Sequence, residues 1–526
     1  MKWFPVLIIV SFCLSEARSG EWAQWGGSSQ RNNVARDQKL PLDWEVKTRS
    51  KFSESRHVKW ASSVFSHGYR GAQAAPPAVA SGKVFVGSNN NAGHIRELED
   101  EDLAVMVCMR ESDGAFLWQH SSKRLKEGKV HDWEFMSVCS TPYVVDDRLW
   151  YVNNRCEVVC LDTEGFHDGE NDGITTEDRT TKADGDVVWS FDMRAELGVS
   201  PHNFVSSSIT GSGDVIFLST GNGVIWDHKT LLRPEAPSFL ALDRNTGKII
   251  WEDNSPGRNI LHGSWSSPAY GVFDGVPQVI FAGGDGWLYS FNPKGDGKGG
   301  SDLLWKFDCN PKELSWNSKN WKVGRNNLIG FPVIYGGLIY IATGQEPEHG
   351  SGKGQLLCMD PTKRGDVSPQ VVFNRSAPET GIPPKRNLAC DTEAGDFTRE
   401  NPNSALRWSF EEIDRCCGSP AIADNILVIG DSDGSVHCLD AFSGELHWTA
   451  DTFSRIYAAP LIVDGHVYLG NEDGELHIFR HTADPEAANP VRWVEFSGSL
   501  YAPPIAVNHQ LYVLSSEELV AIRKAE

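Results

Sequence analysis

Residues Ala241 to Trp251 read ALDRNTGKIIW, a short apolar strand ending in Leu-Asp, a turn ending in Gly247, and a second strand that reaches a tryptophan. The phrase recurs at Cys438 to Trp448, which reads CLDAFSGELHW. Fixed phrases that repeat at intervals of about 40 residues or more are typical of solenoids and propellers. The repeat therefore predicts the architecture of the chain before any single residue is given a role.

A second repeated column, a cluster of small residues that usually ends in proline, marks where each unit begins. It occurs at residues 74–77, 139–142, 206–208, 265–268, 330–332, 417–420, 457–460 and 501–504. Alternating apolar residues and a Gly or Asp turn follow each copy, which predicts two strands. The Leu-Asp strand and the Trp strand make four. The sequence therefore predicts an all-β fold, an eight-bladed β-propeller of four-stranded blades.

The last unit lacks its Trp strand. Tryptophans close the earlier units at positions 118, 189, 251, 305, 408, 448 and 493, whereas the chain ends soon after Leu519 to Ile522. Another tryptophan, Trp44, lies in the segment 41–46 ahead of the first unit. We expect an N-terminal strand around Trp44 to complete the last blade, because an open sheet edge invites aggregation.

The N-terminus is typical of an exported protein. Lys2 precedes an apolar run at residues 4–14, and small residues follow it, as in a secretory signal peptide. The run is too short to span a bilayer. We expect residues 1–19 to be a signal peptide and residues 20–526 to form a single domain, without a transmembrane segment, that acts as a monomer in the periplasm or outside the cell.

The negative charge of the chain limits the classes of partner that it can bind. The formal net charge is −21, and it becomes −22 without residues 1–19, which carry two basic residues and one acidic residue. Such a body repels nucleic acid phosphates and anionic membrane surfaces. We therefore expect no nucleic acid partner.

Most of the repeated cysteines have a structural explanation. Cys108, Cys160, Cys358 and Cys438 stand directly before Leu-Asp or a variant of it, in a column that holds Ala or Ser in other units. A position that accepts Ala, Ser and Cys is a small buried slot. Two further cysteines, Cys309 and Cys390, lie outside this column, and the sequence leaves open whether they pair.

The Ala241 to Trp251 phrase resembles the tryptophan-docking motif of the pyrroloquinoline quinone (PQQ) dehydrogenase propellers, and looser copies extend over residues 41–526. The chain also resembles non-catalytic members of that superfamily, including the exported propeller lipoprotein of outer-membrane assembly. Trp22 to Asn33, with residues 160–173 and 262–268, resembles exported PQQ-repeat proteins of planctomycete-type bacteria. The resemblance implies a quinoprotein alcohol dehydrogenase-like fold, which does not by itself give a function.

A PQQ enzyme site is the first functional hypothesis that this resemblance implies. In the family, the quinone lies between an aromatic floor and a disulfide of adjacent cysteines, beside Ca²⁺. The matching positions are Cys416 and Cys417 for the disulfide, Phe204 for the floor and Asn222 for a Ca²⁺ ligand. Alternatively, Cys417 only fills the small-residue column. The chain has no Cys-x-x-Cys-His for a covalently attached haem.

The catalytic Asp of such an enzyme is missing. The matching stretch, Ile260 to Ser267, contains no carboxylate, and His262 is its only candidate base. A neutral histidine contributes little to Ca²⁺ binding, because Ca²⁺ prefers oxygen ligands. The sequence therefore favours a protein without catalytic activity over a PQQ enzyme.

Basic and aromatic residues recur just before the small-residue columns, where propeller blades open on a central funnel. They are His202, His262, Arg325, Arg415, Arg455, Trp265, Tyr457 and Tyr501. Guanidinium groups pair bidentately with carboxylates, so three arginines at one mouth predict an anion site. Alternatively, each arginine pairs with a neighbouring acid such as Asp414 or Asp451.

An acidic loop at residues 167–178 resembles half of a Ca²⁺-binding loop, with Asp168 and Asp172 as candidate ligands. Its twelfth position is Arg179, where an EF-hand needs a bidentate Glu. The loop is therefore either a weak Ca²⁺ site or a solvated acidic surface.

Together these patterns favour an exported binding or scaffolding propeller whose partner, a protein or a small anion, meets the funnel mouth. The alternative is an alcohol or aldose dehydrogenase that depends on PQQ and Ca²⁺. The absent carboxylate decides this order, because the dehydrogenase reaction requires a base at that place.

Overall fold

The computed structural model describes residues 20–47, 53–64, 75–125, 135–316, 324–345, 352–386 and 388–524. The signal peptide predicted at residues 1–19 lies outside this range. The described chain is built of strands and turns, with one α-helix, Met193–Leu197. Its 3-10 turns are Asn90–Ala92, Arg96–Leu98, Gly165–His167, Gly257–Asn259 and Pro485–Ala488. No helix in these ranges has the length and apolar character needed to cross a bilayer.

The first four four-stranded antiparallel sheets follow one another along the chain. Sheet 1 contains Ala78–Ala80, Lys83–Asn89, Leu103–Arg110 and Phe116–Lys123. Sheet 2 contains Tyr143–Val145, Arg148–Val152, Glu157–Asp162 and Val187–Asp192. Sheet 3 contains Thr210–Ser212, Val215–Ser219, Phe239–Asp243 and Ile249–Asp253. Sheet 4 contains Ala269–Phe273, Val276–Ala282, Trp287–Phe291 and Leu303–Asp308, with Gly365–Asp366 added in parallel at its outer edge.

The second half of the chain continues the same pattern. Sheet 5 contains Val333–Tyr335, Leu338–Ala342, Leu356–Met359 and Leu406–Phe410. Sheet 6 contains Ala421–Ala423, Ile426–Gly430, Ser435–Asp440 and Leu446–Asp451. Sheet 7 contains Leu461–Val463, His466–Gly470, Glu475–Arg480 and Arg492–Glu495, with Val34–Ala35 added at its inner edge. Sheet 8 contains Ile505–Val507, Gln510–Leu514, Glu518–Ile522 and Val58–Ser63. Separately, Gln370–Asn374, Ala377–Gly381 and Asp396–Glu400 form a small sheet inside the long excursion of sheet 5.

The repeated phrase is explained by docking between neighbouring sheets. Trp189, on the outer strand of sheet 2, donates an indole hydrogen bond to Arg244 O in the turn of sheet 3 (3.1 Å). The turn glycine of the phrase, Gly247, has a φ of +68°, and a Cβ there would lie 2.7 Å from the Trp189 ring. Glycine is therefore required by both the turn and the approaching ring. The same indole-to-carbonyl contact joins Trp118 to Thr163, Trp251 to Pro293, Trp408 to Ala441 and Trp448 to Thr482.

The strand that completes sheet 8 is Val58–Ser63, so the prediction that the strand around Trp44 takes this place was wrong. Trp60 is the docking residue of this strand, and its indole donates to Glu111 O of sheet 1 (3.0 Å). A Cβ at Gly114 of sheet 1 would lie 2.6 Å from the Trp60 ring, the contact seen at the other sheet junctions. The misassignment arose because Trp60 lacks the Leu-Asp and Gly that mark the other copies.

Trp44 instead fills a gap left at sheet 7. In sheet 6 the docking residue Trp448 pairs with Cys438 of the neighbouring strand. The equivalent pair in sheet 7 is Arg492 with Ile478, so an arginine stands where a docking tryptophan is expected. Trp493 is consequently turned outward and is 50 % exposed. Trp44 is fully buried, its ring lies 5.9 Å from that of Phe496, and the Arg492 guanidinium lies over it at 5.5 Å. A tryptophan distant in sequence thus replaces the missing docking residue.

The small slot that precedes Leu-Asp lies opposite the docking tryptophan. Cys108, Cys160, Cys358 and Cys438 each pair across the strands with a Trp, as Ala241 does with Trp251. Burial raises the pKa of the Cys438 thiol to about 12, as expected of an inert structural cysteine. The ten described cysteines are all free thiols, so Cys309 and Cys390 are not joined.

An axial segment, residues 22–35, contacts the innermost strands of the sheets or the residues just before them. Its main contacts join Trp22 to Val79, Ala23 to Val144, Gln24 to Thr210, Ser29 to Tyr270, Gln30 to Ile334, Asn32 to Ile422, Asn33 to Ile462 and Asn33 to Pro504. These partners come from all eight sheets in order. The inner strands therefore converge on one stretch of chain, a contact pattern that the sequence analysis did not predict.

The small-residue columns also have a structural role near this axis. Thr141 N donates to Ser208 Oγ (3.0 Å), and Ser208 N donates to Ser267 Oγ (2.7 Å). Phe331 N likewise donates to Ser419 Oγ (2.6 Å). These bonds link sheets 2 and 3, sheets 3 and 4, and sheets 5 and 6 beside their inner strands.

Candidate functional site

Three chain segments ahead of inner strands are joined by backbone hydrogen bonds. Gly223 N donates to Ser200 O (3.0 Å), and Val224 N donates to His262 O (2.8 Å). A Cβ at Gly223 would lie 2.6 Å from His262 O and 2.8 Å from His202 Cβ, so only glycine permits this approach. The rings of His202 and His262 consequently lie side by side, with centroids 4.2 Å apart.

His228 adds a third imidazole to this pair. It lies in a turn held by the Asp227 carboxylate, which accepts from the backbone N–H groups of Lys229 and Thr230 (2.8 Å each). His228 Nδ1 lies 2.8 Å from His262 Nε2. One ring nitrogen of each of His202, His228 and His262 lies within 4.8 Å of the other two. His202 and His262 are fully buried, and His228 is half-buried.

Aromatic rings and one arginine hold this histidine cluster. Trp265 donates its indole hydrogen bond to His202 O (3.1 Å), and its ring lies 5.2 Å from that of His262 and 6.2 Å from that of Phe204. Arg386, from the excursion of sheet 5, donates to Lys229 O (2.7 Å) and Leu261 O (3.0 Å). Arg386 thereby ties the loop that carries His228 to the segment that carries His262.

The side chains here do not fit the Ca²⁺ and PQQ site that the resemblance implied. Asn222 Oδ1 accepts from Ser200 N (3.1 Å) and its Nδ2 donates to Arg233 O (2.9 Å), so the amide holds the two loops. The groups clustered beside it are imidazoles, whereas Ca²⁺ takes six to eight oxygen ligands. The thiols of Cys416 and Cys417 are separate, and the Cys416 side chain is fully buried.

Arg415 is the most isolated cation among the predicted site residues. It is 0 % exposed, and its Nε donates to Asn326 Oδ1 (3.0 Å). Within the described part of the chain, its Nη1 and Nη2 have no hydrogen-bond partner. The neighbouring Asp414 carboxylate accepts instead from Gly352 N (2.7 Å) and from the Arg415 backbone N–H (2.6 Å). Burial lowers the pKa of the Arg415 guanidinium.

Arg325 is paired with an acid, as the alternative interpretation of these arginines expected. Its Nη2 donates to Asp308 (2.8 Å), and Lys312 Nζ donates to the same carboxylate (2.7 Å). All three line a cavity of about 380 Å³ beside sheet 4, whose lining residues include Trp287 but neither Arg415 nor Arg455. The physical reason is that Asp308 neutralises Arg325 within its own sheet junction.

Arg455 lies at the mouth of sheet 7 with two tyrosines. Its side chain is half-exposed, and its guanidinium lies 3.9 Å from the Glu472 carboxylate. The rings of Tyr457 and Tyr501 stack at 5.7 Å, and burial raises the pKa of Tyr457 to about 12. Arg455 is thus a solvated cation rather than a buried one.

The acidic loop is tied to the protein by an arginine. Asp172 forms an ion pair with Arg148 (2.6 Å), which also pairs with Asp162. Asp168 is exposed and accepts from Glu170 N (2.9 Å) within its own turn. The Arg148 guanidinium neutralises the Asp172 carboxylate that a metal ion would need as a ligand. The described contacts therefore favour the interpretation of this loop as a solvated acidic surface.

Asp285 lies close to the histidine cluster, because the carbonyl oxygen of its neighbour Gly284 accepts from Leu261 N (2.8 Å). The ionisation of Asp285 predicts a stability that depends on pH. Burial raises the Asp285 pKa to about 6 even though Tyr289 donates to the carboxylate (2.5 Å). The unfolded value is about 3.9. Between these values the folded state keeps a proton that the unfolded state releases, so stability falls as pH rises from about 4 to 6.

In Asp285→Asn we expect this decrease in the free energy of unfolding to be absent. It amounts to about 3 kcal/mol for two pKa units. Urea denaturation at pH 4 to 7 measures it, with the exposed Asp178→Asn as the control. Parallel pH curves for wild type and Asp285→Asn would contradict the expectation.

Comparison with known proteins shows which family the last repeats resemble. Residues 393–526 match the family model described as outer membrane protein assembly factor BamB. Over this stretch the chain is similar to the PQQ-repeat family. The match covers sheets 6 to 8, and the sheets before them share the same tryptophan docking. No curated protein matches the chain.

Similar solved structures include BamB from Moraxella catarrhalis, at 13% identity and a TM-score of 0.48, covering 85% of this chain and 94% of that one. Quinohemoprotein alcohol dehydrogenase from Comamonas testosteroni has 12% identity and a TM-score of 0.48, covering 98% of this chain and 82% of that one. The computationally designed Ika8 protein has 10% identity and the same TM-score, covering 89% and 99%. At this level of similarity, none of them assigns a function here.

His228 and Arg386 are the residues of this site that sequence reasoning missed. Both lie in excursions from the repeat, where no column predicts which side chains return to the mouth. The available signal was the position of residues 224–236, which leave the scaffold at the same end as His202 and His262.

Proposed function

We propose that this chain is an exported, monomeric, eight-bladed binding protein that receives a carboxylate-bearing ligand at Arg415. The observation that supports it is the fully buried Arg415 guanidinium, whose Nη1 and Nη2 lack hydrogen-bond partners among the residues that the structure describes. An unpaired buried charge costs several kcal/mol, so a folded protein retains one where a ligand compensates it.

The groups around Arg415 suit a carboxylate. A guanidinium offers two parallel N–H donors to one carboxylate, and Arg415 has both terminal nitrogens available because only Nε is used by Asn326. Arg455, at the neighbouring sheet mouth, is half-exposed and forms an ion pair with Glu472, so the cation that a ligand would meet is Arg415. In a chain of net charge −21, such a local cationic site attracts small anions more than the remaining surface does.

A binding role is supported over the PQQ dehydrogenase because the donor atoms clustered beside Asn222 are the imidazole nitrogens of three histidines. The imidazole donors there differ in chemistry from a Ca²⁺ site.

The test compares wild type with Arg415→Met in thermal unfolding. In buffer without carboxylates, we expect Arg415→Met to be as stable as wild type or more stable, because methionine removes a buried charge whose two terminal nitrogens have no hydrogen-bond partner among the described residues. Acetate, citrate and phosphate are then titrated at constant ionic strength. Wild type should be stabilised by a carboxylate, by about 2.7 kcal/mol at one hundred times the dissociation constant, and Arg415→Met should not respond.

The exposed Arg407→Met is the matched control, because it removes the same charge from the surface. A loss of about 3 kcal/mol in Arg415→Met without ligand would show that the guanidinium is structural, and an equal carboxylate response in both proteins would place the ligand elsewhere. Either result rejects the proposal.

A further inference from the structure

We propose that His202, His228 and His262 together bind one divalent first-row transition metal ion, such as Zn²⁺ or Co²⁺. One nitrogen of each ring already lies within 4.8 Å of the others. Imidazole nitrogen is a preferred ligand for zinc, copper, nickel and iron, and a poor one for Ca²⁺ and Mg²⁺. The site is separate from Arg415 and does not depend on the proposed anion binding.

The spacing is close to that of a metal centre. With metal-to-nitrogen distances of about 2.0 to 2.1 Å and tetrahedral angles, two ligand nitrogens lie about 3.3 Å apart. His228 Nδ1 and His262 Nε2 are 2.8 Å apart. A shift of about half an ångström opens this pair to the ion, and such a shift is within rotation of the half-buried His228 ring.

The hydrogen bond of His202 determines which of its two ring nitrogens can bind the metal. Its Nδ1 lies 2.6 Å from Val224 O and therefore carries the proton, since a carbonyl only accepts. Nε2 is then the nitrogen with the lone pair. Metal-bound histidines commonly donate their second nitrogen to a carbonyl in this manner, which fixes the ring and the tautomer.

The proton between His228 and His262 can be accounted for. Their 2.8 Å contact requires a proton on one of the two facing nitrogens. When the metal binds, that proton moves through solvent to the other nitrogen of the same ring, and the freed lone pair binds the metal. No redox change and no net loss of protons is involved.

The frame around the three rings is rigid. Backbone hydrogen bonds join the segments of His202, Val224 and His262, and Arg386 ties the His228 loop to Leu261. Three nitrogen ligands from the described residues leave a fourth position, which is the arrangement of a site that also takes water or a ligand. The half-buried His228 provides the side from which an ion enters.

The experiment titrates metal-free protein, made without a polyhistidine tag, with Co²⁺ and follows visible absorption and bound metal by mass spectrometry. We expect one equivalent per chain with the intense bands of tetrahedral Co²⁺. His228→Gln should weaken binding at least tenfold, while His167→Gln, which alters an exposed histidine outside the cluster, should bind like wild type. Loading with Cu²⁺ adds a second readout, because hyperfine coupling counts three nitrogens in wild type and two in His228→Gln.

Circular dichroism shows whether His228→Gln folds, and a buried-ligand variant is not needed. Equal affinity and equal spectra in wild type and His228→Gln, or no bound equivalent in wild type, would overturn the proposal. Arg415→Met should bind Co²⁺ like wild type, so failure of the anion proposal and failure of this one are distinguishable.

Discussion

Arg31→Met is expected to lower the free energy of unfolding by about 3 kcal/mol, because three backbone carbonyls lose their donor and each unsatisfied group costs about 1 kcal/mol or more. Arg31 is 0 % exposed at the centre of the axial segment. It donates to Pro268 O (2.7 Å), Ser208 O (2.6 Å) and Trp25 O (3.3 Å). Burial without a carboxylate lowers its pKa to about 9.

Urea denaturation of the two proteins measures this loss, with Arg36→Met as the control because Arg36 is mostly exposed and close to Asp424. The comparison with Arg415→Met is equally informative. Both arginines are buried, but every nitrogen of Arg31 has an acceptor, whereas two nitrogens of Arg415 have none. Equal effects of the two substitutions would mean that hydrogen bonding does not distinguish the two buried charges.

Trp60→Ala is expected to cost about 3 to 5 kcal/mol, the usual effect of truncating a buried tryptophan. Trp60 is 5 % exposed, and its ring packs on Gly114 of sheet 1 and lies 5.9 Å from Tyr512 of sheet 8. The substitution therefore removes the contact between the last sheet and the first. A weakened junction there also exposes two sheet edges, so we expect faster aggregation on heating.

Trp493→Ala is the matched control, because the sequence assigns Trp493 to the same column while the structure leaves it 50 % exposed. It should change the unfolding free energy by less than about 1 kcal/mol. Thermal and urea unfolding of both variants measure the difference. A larger loss in Trp493→Ala than in Trp60→Ala would contradict the tryptophan assignment at these two junctions.

The repeated columns were readable in the sequence because each has a local physical requirement. The phrase glycine needs a left-handed turn that also receives a ring, and the residue before Leu-Asp needs a small side chain opposite that ring. A glycine that receives a docking ring occurs at five junctions, as Gly114, Gly165, Gly247, Gly295 and Gly444, so these requirements leave a periodic record. The mouth residues carry no such record, since each loop differs from the next.

Arg325 shows why the candidate site was only partly predictable. Its place before a small-residue column matches that of Arg415, yet Asp308, which lies 17 residues earlier, pairs with Arg325 and not with Arg415. Whether a charge is paired depends on which side chains cross a sheet junction, and no spacing rule gives that. His228 was missed for the same reason.

The sequence by itself determined the four-stranded repeat, five of the docking tryptophans and the structural cysteines, because these follow from contacts that most units make with their neighbours. Only the tertiary structure decided that Trp60 rather than Trp44 completes sheet 8, that residues 22–35 lie on the axis, and that three histidines meet. Those contacts join residues far apart in the chain, and their partners are chosen by packing in three dimensions rather than by period.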